Sequence, residues 1–375
     1  MSKRLLFIVS EDWYFVSHRL HLAEAAINAG YKVALFSRFN NHRDLVMNSG
    51  IQVINWPLNR LSFNPYNELV SLYHLVSTIR KFKPDLIHAV AMKPIIYSGI
   101  VARYFSFSYS SVFSFAGLGY IFISQKLIVK LYRSCISIVL RIILKEKNTR
   151  IILQNCDDKL KLTSEKIISS EQVRLIRGSG VDTTLFHPGP LPSGTPLVIL
   201  PARMLWDKGL GEFVKCARVI KDHGVVARFV LVGDPDPHNP ESVSIEQLNI
   251  WEKEGVVEWW THKKNMPSIY INASIICLPS YREGLPKALL EAASCGRPIV
   301  TYDVPGCREV VIDQVNGFLV PFKDTDAMVN AIETLLDNKE LCSQMGQKGR
   351  ELVLNNFSQE QIAAETMALW QEVLH

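Results

Sequence analysis

Short apolar runs alternate with longer amphipathic stretches along the whole chain. In the first half the runs fall at Leu5 to Val9, Lys32 to Ser37, Val53 to Trp56, Asp85 to Val90, Ser111 to Phe115 and Arg150 to Gln154. Alternation of this kind predicts a parallel sheet with helices on both faces. The stretch His187 to Gly194, rich in Pro and Gly, marks a linker. A second series follows at Leu197 to Leu200, Arg228 to Val232, Val256 to Trp259, Ile275 to Leu278, Ile299 to Tyr302 and Gly317 to Val320. Two α/β units in tandem are therefore expected, residues 1–190 and 191–357, with facing strand ends that enclose a cleft. In the last segment, residues 358–375, Ser358 and Gln361 fit a capping box, and Ile362, Met367, Leu369, Trp370 and Val373 give a helix with a broad apolar face.

Tyr281 to Gly296 reads YREGLPKALLEAASCG. The run before it, Ala273 to Ser280, suits a buried strand, and Lys287 to Cys295 is rich in Ala and Leu, so strand, tight turn and helix are predicted. Such a turn points the free amides of the first helical turn outward at Gly284 and Leu285, where the helix dipole adds positive charge. Pro286 suits the first helical position, where its missing amide costs nothing. Glu283 precedes the helix and Glu291 lies inside it. The two carboxylates can hold different parts of one elongated ligand. Carboxylates accept hydrogen bonds from sugar hydroxyls while backbone amides take phosphate oxygens, and a nucleotide sugar carries both groups. The plain alternative is a surface glutamate followed by an ordinary amphipathic helix.

Pro201 to Gly209 follows the first strand of the second series and precedes an amphipathic helix, Leu210 to His223, placing Arg203 and Lys208 at a strand's carboxyl end. An Arg forks onto a diphosphate and a Lys adds a point charge, which together compensate a leaving group as its bond breaks. Gly233 ends another strand and permits close approach of backbone to a ligand. Trp259 and Trp260 come next, without individual roles. After the first strand stand Glu11 and Asp12 and no glycine, so the Gly-x-Gly-x-x-Gly fingerprint of nicotinamide and flavin oxidoreductases is absent. Acceptor-side candidates in the first half are His18, between the first strand and its helix; Lys93, in the loop after Val90; and Gly117, in the glycine loop Phe115 to Tyr120. His88 lies within a strand and reads as a packed residue.

Glu283 and Glu291, separated by seven residues, with Gly284, Leu285 and Pro286 after the first, resemble the signature of the retaining family 4 glycosyltransferases of the GT-B fold. Ser17-His18-Arg19, Gly117-Leu118-Gly119-Tyr120 and Met204 to Gly209 are similar to segments of bacterial enzymes that extend polyprenyl-diphosphate-linked glycans. The resemblance implies two Rossmann-like, doubly wound parallel-sheet domains facing a cleft, with the C-terminal helix crossing back to the first. It implies a hexosyltransferase that moves a hexose or N-acetylhexosamine, GalNAc first among them, from a UDP-sugar to a polyprenyl-diphosphate-linked sugar. In that family Arg203 and Lys208 would lie against the donor diphosphate, Glu283 would orient the sugar and Glu291 the ribose. Gly233, Gly284, Leu285 and Pro286 complete the expected donor site, with Val257 to His262 matching the base-binding strand and loop. Retention would proceed by displacement on one face of the sugar, the departing phosphate helping to deprotonate the acceptor. The chain departs from the family in lacking paired glycines after the first strand and a histidine near Gly117, which leaves the acceptor-activating base unassigned. No cofactor or required metal is expected, with Mg²⁺ at most assisting the diphosphate.

Composition sharpens this picture. A chain of 375 residues exceeds what one core organises, and 48% hydrophobic with 21% charged residues describes a folded protein. The seven cysteines are scattered without a Cys-x-x-Cys pair, so reduced, mostly buried thiols are expected. The opening run is too short for a signal peptide and no segment is long enough to span a bilayer, which predicts a cytoplasmic location. Net charge is uneven: residues 1–190 hold 24 Lys and Arg against 12 Asp and Glu, the remainder 17 against 24. In the segment from Gln125 to Lys147, Lys126, Lys130, Arg133, Arg141 and Lys145 fall on one helical stripe. A cationic amphipathic helix lies well against anionic headgroups, so attachment to the inner face of the cytoplasmic membrane is expected, and no nucleic-acid partner. Two rival functions share these features: a UDP-sugar 2-epimerase of the same architecture, and a non-catalytic glycolipid-binding module.

Overall fold

A computed structural model describes residues 2–58, 64–118, 127–145, 148–237, 239–261, 263 and 265–375. The chain forms two compact units, Met1–Ser179 with Gln359–His375, and Gly180–Ser358.

The first unit is a sheet of seven parallel strands: β1 (Arg4–Glu11), β2 (Lys32–Arg38), β3 (Gln52–Asn55), β4 (Leu86–Val90), β5 (Ser110–Ser114), β6 (Thr149–Leu153) and β7 (Val173–Leu175), in the order β3-β2-β1-β4-β5-β6-β7. The period of two along each strand sends alternate residues to opposite faces. Leu6, Ile8, Ile87, Ala89 and Phe113 meet one set of helices, while Leu5, Phe7, Leu86, Val90 and Val112 meet another. Its helices are α1 (Asp12–His18), α2 (Leu20–Asn28), α3 (Arg43–Asn48), α4 (Pro65–Phe82), α5 (Met92–Tyr104), α6 (Leu127–Ile143) and α7 (Cys156–Ser164). α4, α5 and α6 cover the first face through Leu75, Ile79, Ile95, Val101, Leu140 and Ile143. α4 starts where the Asn64 side chain caps the Tyr66 amide and Pro65 takes the first position, and it stops at left-handed Lys83. The three-residue β7 is too short to show in the hydrophobic pattern.

The second unit has six parallel strands, β8 (Leu197–Pro201), β9 (Arg228–Val232), β10 (Glu258–Trp260), β11 (Ile275–Leu278), β12 (Ile299–Tyr302) and β13 (Gly317–Val320), ordered β10-β9-β8-β11-β12-β13. One core joins it to α8 (Leu210–Asp222), α9 (Ile245–Lys253), α10 (Met266–Ile271), α11 (Lys287–Ser294), α12 (Cys307–Val310), α13 (Thr325–Asp337) and α14 (Lys339–Asn356). The first unit ends at Ser179, ahead of the boundary expected at residue 190. The Pro- and Gly-rich stretch is tied into the second unit instead: Arg350 donates to the Phe186 carbonyl (2.9 Å) and buried Arg297 to those of Gly189 (2.9 Å) and Pro190 (3.1 Å).

The last helix, α15 (Gln359–Leu374), rejoins the first unit. Trp370 is fully buried with its ring edge-on to Phe7, and Arg150 and Arg174 both donate to the Glu372 carboxylate. Among the described residues no helix is long and apolar enough to cross a membrane. Five cysteines are buried; Cys135 and Cys156 are exposed.

Candidate active site

In the second sheet the chain runs outward from β8 to β9 on one side and returns to β11 on the other. The point between β8 and β11 is thus a topological switch, where the loops after two neighbouring strands diverge and leave a crevice. Lys208, after β8, and Glu283, after β11, meet there.

The Lys208 ammonium lies 2.5 Å from Glu283 Oε1, and the hydroxyl of buried Ser280 donates to the same oxygen (2.7 Å). Only 16% of the Lys208 side chain and 14% of that of Glu283 is exposed, so each is the other's counter-charge in a largely dry setting. Backbone bonds fix the Glu283 loop on both sides: the Tyr281 amide donates to the Asp207 carbonyl of the loop after β8 (2.8 Å) and the Glu283 amide to the Pro305 carbonyl of the loop after β12 (3.1 Å). Gly306, at φ +84°, passes so close beneath Glu283 that a Cβ would come within 2.6 Å of its carbonyl oxygen.

Pro286 is not the first helical residue. It is the N-cap of α11, with an extended ψ of 106°, and the helix begins at Lys287; its carbonyl accepts the Leu289 amide (3.0 Å). Gly284 and Leu285 therefore lie in the turn ahead of the helix. Glu291, inside α11, bonds to different groups from Glu283. It accepts from the buried Tyr270 hydroxyl (3.0 Å) and lies 3.7 Å from the Lys287 ammonium. Burial raises its carboxyl above the usual range, with Lys287 and Tyr270 pulling partly the other way.

Arg203 is half exposed and donates through Nη1 to Asp236 Oδ2 (2.7 Å). Reading the chain alone assigns Asp236 no role, although its Asp-x-Asp spacing with Asp234 was a visible signal. In the structure Asp236 faces a guanidinium, and among the described residues no group of three His, Cys, Asp or Glu could hold a metal ion. Gly233 has φ +147°, and a Cβ there would overlap the Ala202 carbonyl oxygen, so this glycine lets the loops after β8 and β9 pack together. The indole of Trp259 donates to the Gly233 carbonyl (2.9 Å), while His262 lies outside the described residues. Ser280, Tyr270 and Lys287 are further partners that pattern reading misses, since ordinary serines, tyrosines and lysines carry no spacing signal.

In the first unit the corresponding switch lies between β1 and β4. His18 closes α1, stacked on Tyr14 at 4.2 Å between centroids. Lys93 lies in the first turn of α5, not in a loop, and donates to Glu68 of α4 (3.0 Å), while the Tyr97 hydroxyl donates to the same carboxylate. Ala91, just before α5, holds φ +77°, a value rare outside glycine and met at sites where function over-determines the backbone. Gly117 has φ +105° in the loop after β5; Gly119 and Tyr120 lie outside the described residues. His88 is buried, bonded to Ser114 (2.6 Å) and stacked on Phe7. On α6, Lys130 is exposed, Arg133 is half-buried, and Arg141 donates to the Glu165 carbonyl (2.9 Å); Lys145 is exposed in the turn after the helix, and Lys126 lies outside the described residues.

Comparison with known proteins agrees with this geometry. The model of the glycosyl transferases group 1 matches residues 182–352, and that of the glycosyl transferase 4-like family residues 4–155. The N,N'-diacetylbacillosaminyl-diphospho-undecaprenol alpha-1,3-N-acetylgalactosaminyltransferase of Campylobacter jejuni is 26% identical over 338 residues, 87% of each chain. The UDP-Gal:alpha-D-GlcNAc-diphosphoundecaprenol alpha-1,3-galactosyltransferase of Escherichia coli is 25% identical over 304 residues, 77% of this chain and 75% of its own. Among solved structures, the sucrose-phosphate synthase of Thermosynechococcus elongatus superposes with a TM-score of 0.81 at 21% identity over 99% of both chains. Matched by two family models over both sheets, with the paired glutamates and the Arg-Lys loop in place, the chain belongs to the family 4-like, group 1 glycosyltransferases of the GT-B fold.

Proposed function

We propose that the protein transfers a hexose or N-acetylhexosamine from a UDP-sugar, with retention of configuration, to a polyprenyl-diphosphate-linked sugar at an anionic membrane surface. The observation that carries this reading is the Lys208–Glu283 pair at the switch point of the second sheet, with Arg203 on the same loop as Lys208. Lys208 and Arg203 would neutralise the leaving diphosphate, and Glu283 would accept sugar hydroxyls while Lys208 holds its other edge. Glu291 would take the ribose. Neither glutamate serves as nucleophile in this scheme, since Glu283 is already committed to Lys208 and Ser280. The relatives named for diphospho-undecaprenol acceptors support the lipid-linked acceptor, and the Campylobacter transferase makes UDP-GalNAc the first donor to test.

The membrane part rests on the α4–α6 layer. Residues 64–145 carry ten Lys and Arg against two Asp and Glu, and the layer exposes Tyr66, Leu69 and Tyr73 on α4 and Tyr132, Ile138 and Ile142 on α6. Basic charge with exposed aromatic and aliphatic side chains suits an interface of anionic headgroups.

The test is a panel of nucleotide sugars offered with a polyprenyl-diphosphate-linked sugar, reading released UDP and the lipid product's mass and anomeric configuration. A one-sugar gain with the donor's configuration retained, unaffected by EDTA, is expected; conversion of free UDP-sugar without acceptor would overturn the reading in favour of the epimerase. Glu283→Gln keeps an acceptor oxygen for Ser280 and Lys208 but removes the counter-charge, and is expected to lose at least about 100-fold in transfer with a smaller loss of stability than Glu283→Ala. Glu283→Ala leaves Lys208 largely buried without a counter-charge and should also melt earlier, by about 2 kcal/mol.

A further inference from the structure

We propose that Asp236 is a positioning residue that holds the Arg203 guanidinium in place for the donor diphosphate; this rests on the donor-site reading above. Arg203 is 47% exposed, and a free arginine at that exposure samples many rotamers that a diphosphate would have to arrest on every turnover. Asp236 removes that disorder beforehand. Its carboxylate takes one Nη1 proton at 2.7 Å and leaves the remaining guanidinium N–H groups for a ligand.

The carboxylate is itself fixed. Pro235 and Pro237 flank it, the Asp236 amide donates to Ser242 Oγ (3.0 Å), and the Asp236 carbonyl accepts the Asn239 amide (2.8 Å). Its loop is bonded along the Arg203 loop: the Met204 amide donates to the Asp234 carbonyl (3.0 Å), the Val243 amide to that of Met204 (2.8 Å) and the Trp206 amide to that of Glu241 (2.8 Å). Arg203 and Asp236 thus ride on two segments that cannot slide past each other. The same design recurs across the strand. β8 lies between β9 and β11, and its loop has one cation held from the β9 side by Asp236 and the other from the β11 side by Glu283.

The experiment compares wild type with Asp236→Ala, Asp236→Asn, Arg203→Ala and the double variant Asp236→Ala/Arg203→Ala, measuring donor KM and kcat, UDP affinity by calorimetry, and thermal melts. Asp236→Ala is expected to lower kcat/KM for the donor about 10- to 100-fold. Asp236→Asn, which keeps an acceptor oxygen in the same place, should recover most of that loss. The double variant should be no worse than Arg203→Ala, because the aspartate acts only through the arginine. Full activity in Asp236→Ala, or losses that multiply in the double variant, would overturn the proposal. Sensitivity of wild type to EDTA, with Asp236→Asn as inactive as Asp236→Ala, would also overturn it and assign the acid to a metal. If Arg203→Ala itself transfers normally, the donor-site reading has failed, an outcome distinct from the failure of Asp236 alone.

Discussion

Glu291 shows how a residue readable by spacing acquires its properties from packing. Its position in α11 follows from the Glu-Gly-Leu-Pro turn, yet its raised pKa comes from burial, against the pull of Lys287 and Tyr270. A carboxyl whose folded pKa lies above its unfolded value near 4.3 binds more protons folded than unfolded, so it favours the native state at low pH and loses that contribution as pH rises. Glu291→Gln mimics the protonated form. It should therefore raise the midpoint of urea unfolding at pH 7 relative to wild type, with the difference shrinking toward pH 4, while weakening UDP binding. A variant no more stable than wild type at pH 7 would mean that Lys287 and Tyr270 fully offset the burial. Asp236 marks what spacing alone does not disclose, for it matters through Arg203, 33 positions away.

At the scale of elements, α6 was legible as a cationic amphipathic helix, but not its orientation. It carries more apolar side chains than one core-facing stripe can cover: Leu140 and Ile143 are buried, while Tyr132, Ile138 and Ile142 face outward between the basic residues. Arg141 is spent on a backbone carbonyl. What seats the helix is Gly99 of α5, where a Cβ would come within 2.8 Å of the Ile143 side chain. Close helix approach of this kind tolerates no larger residue without displacement. Gly99→Val should destabilise the first unit by about 1–3 kcal/mol through overpacking. Because the variant shifts the outward face of α6, binding to anionic vesicles should fall with it, as read by cosedimentation. The missing strand of the sequence reading, β7, has a simpler cause: three residues are too few to register as a period.

For the whole molecule, α15 matters most. Its apolar face was plain from the sequence, and its docking onto the first sheet completes a core that α1 and α2 leave open. Trp370 is fully buried against Phe7 and His88. Trp370→Ala should cost the first unit about 3–5 kcal/mol by opening a cavity. Hydrogen exchange read by mass spectrometry should show protection falling across β1 and β4, with the strands of the second unit, which has its own core, unchanged. Equal loss in both units would show that they unfold as one.

The division between the two levels of information follows from range. Apolar runs, the Pro and Gly of the turns, the Glu-Gly-Leu-Pro segment and the uneven charge are properties of neighbouring residues, so every strand but β7, the start of α11 to within one residue and the family motif were legible in the chain itself. Partnerships between distant residues were not. Lys208 finds Glu283 across 75 positions, and Arg203 finds Asp236 across 33, because β8 is inserted between β9 and β11. Strand order is decided by how whole layers bury their faces, and no local period encodes it. The same holds for the unit boundary, which Arg297 and Arg350 set by reaching back to the carbonyls of residues 186–190. Local order in the chain names the groups that could do the chemistry; the packing of whole layers pairs them, buries them and holds them in place.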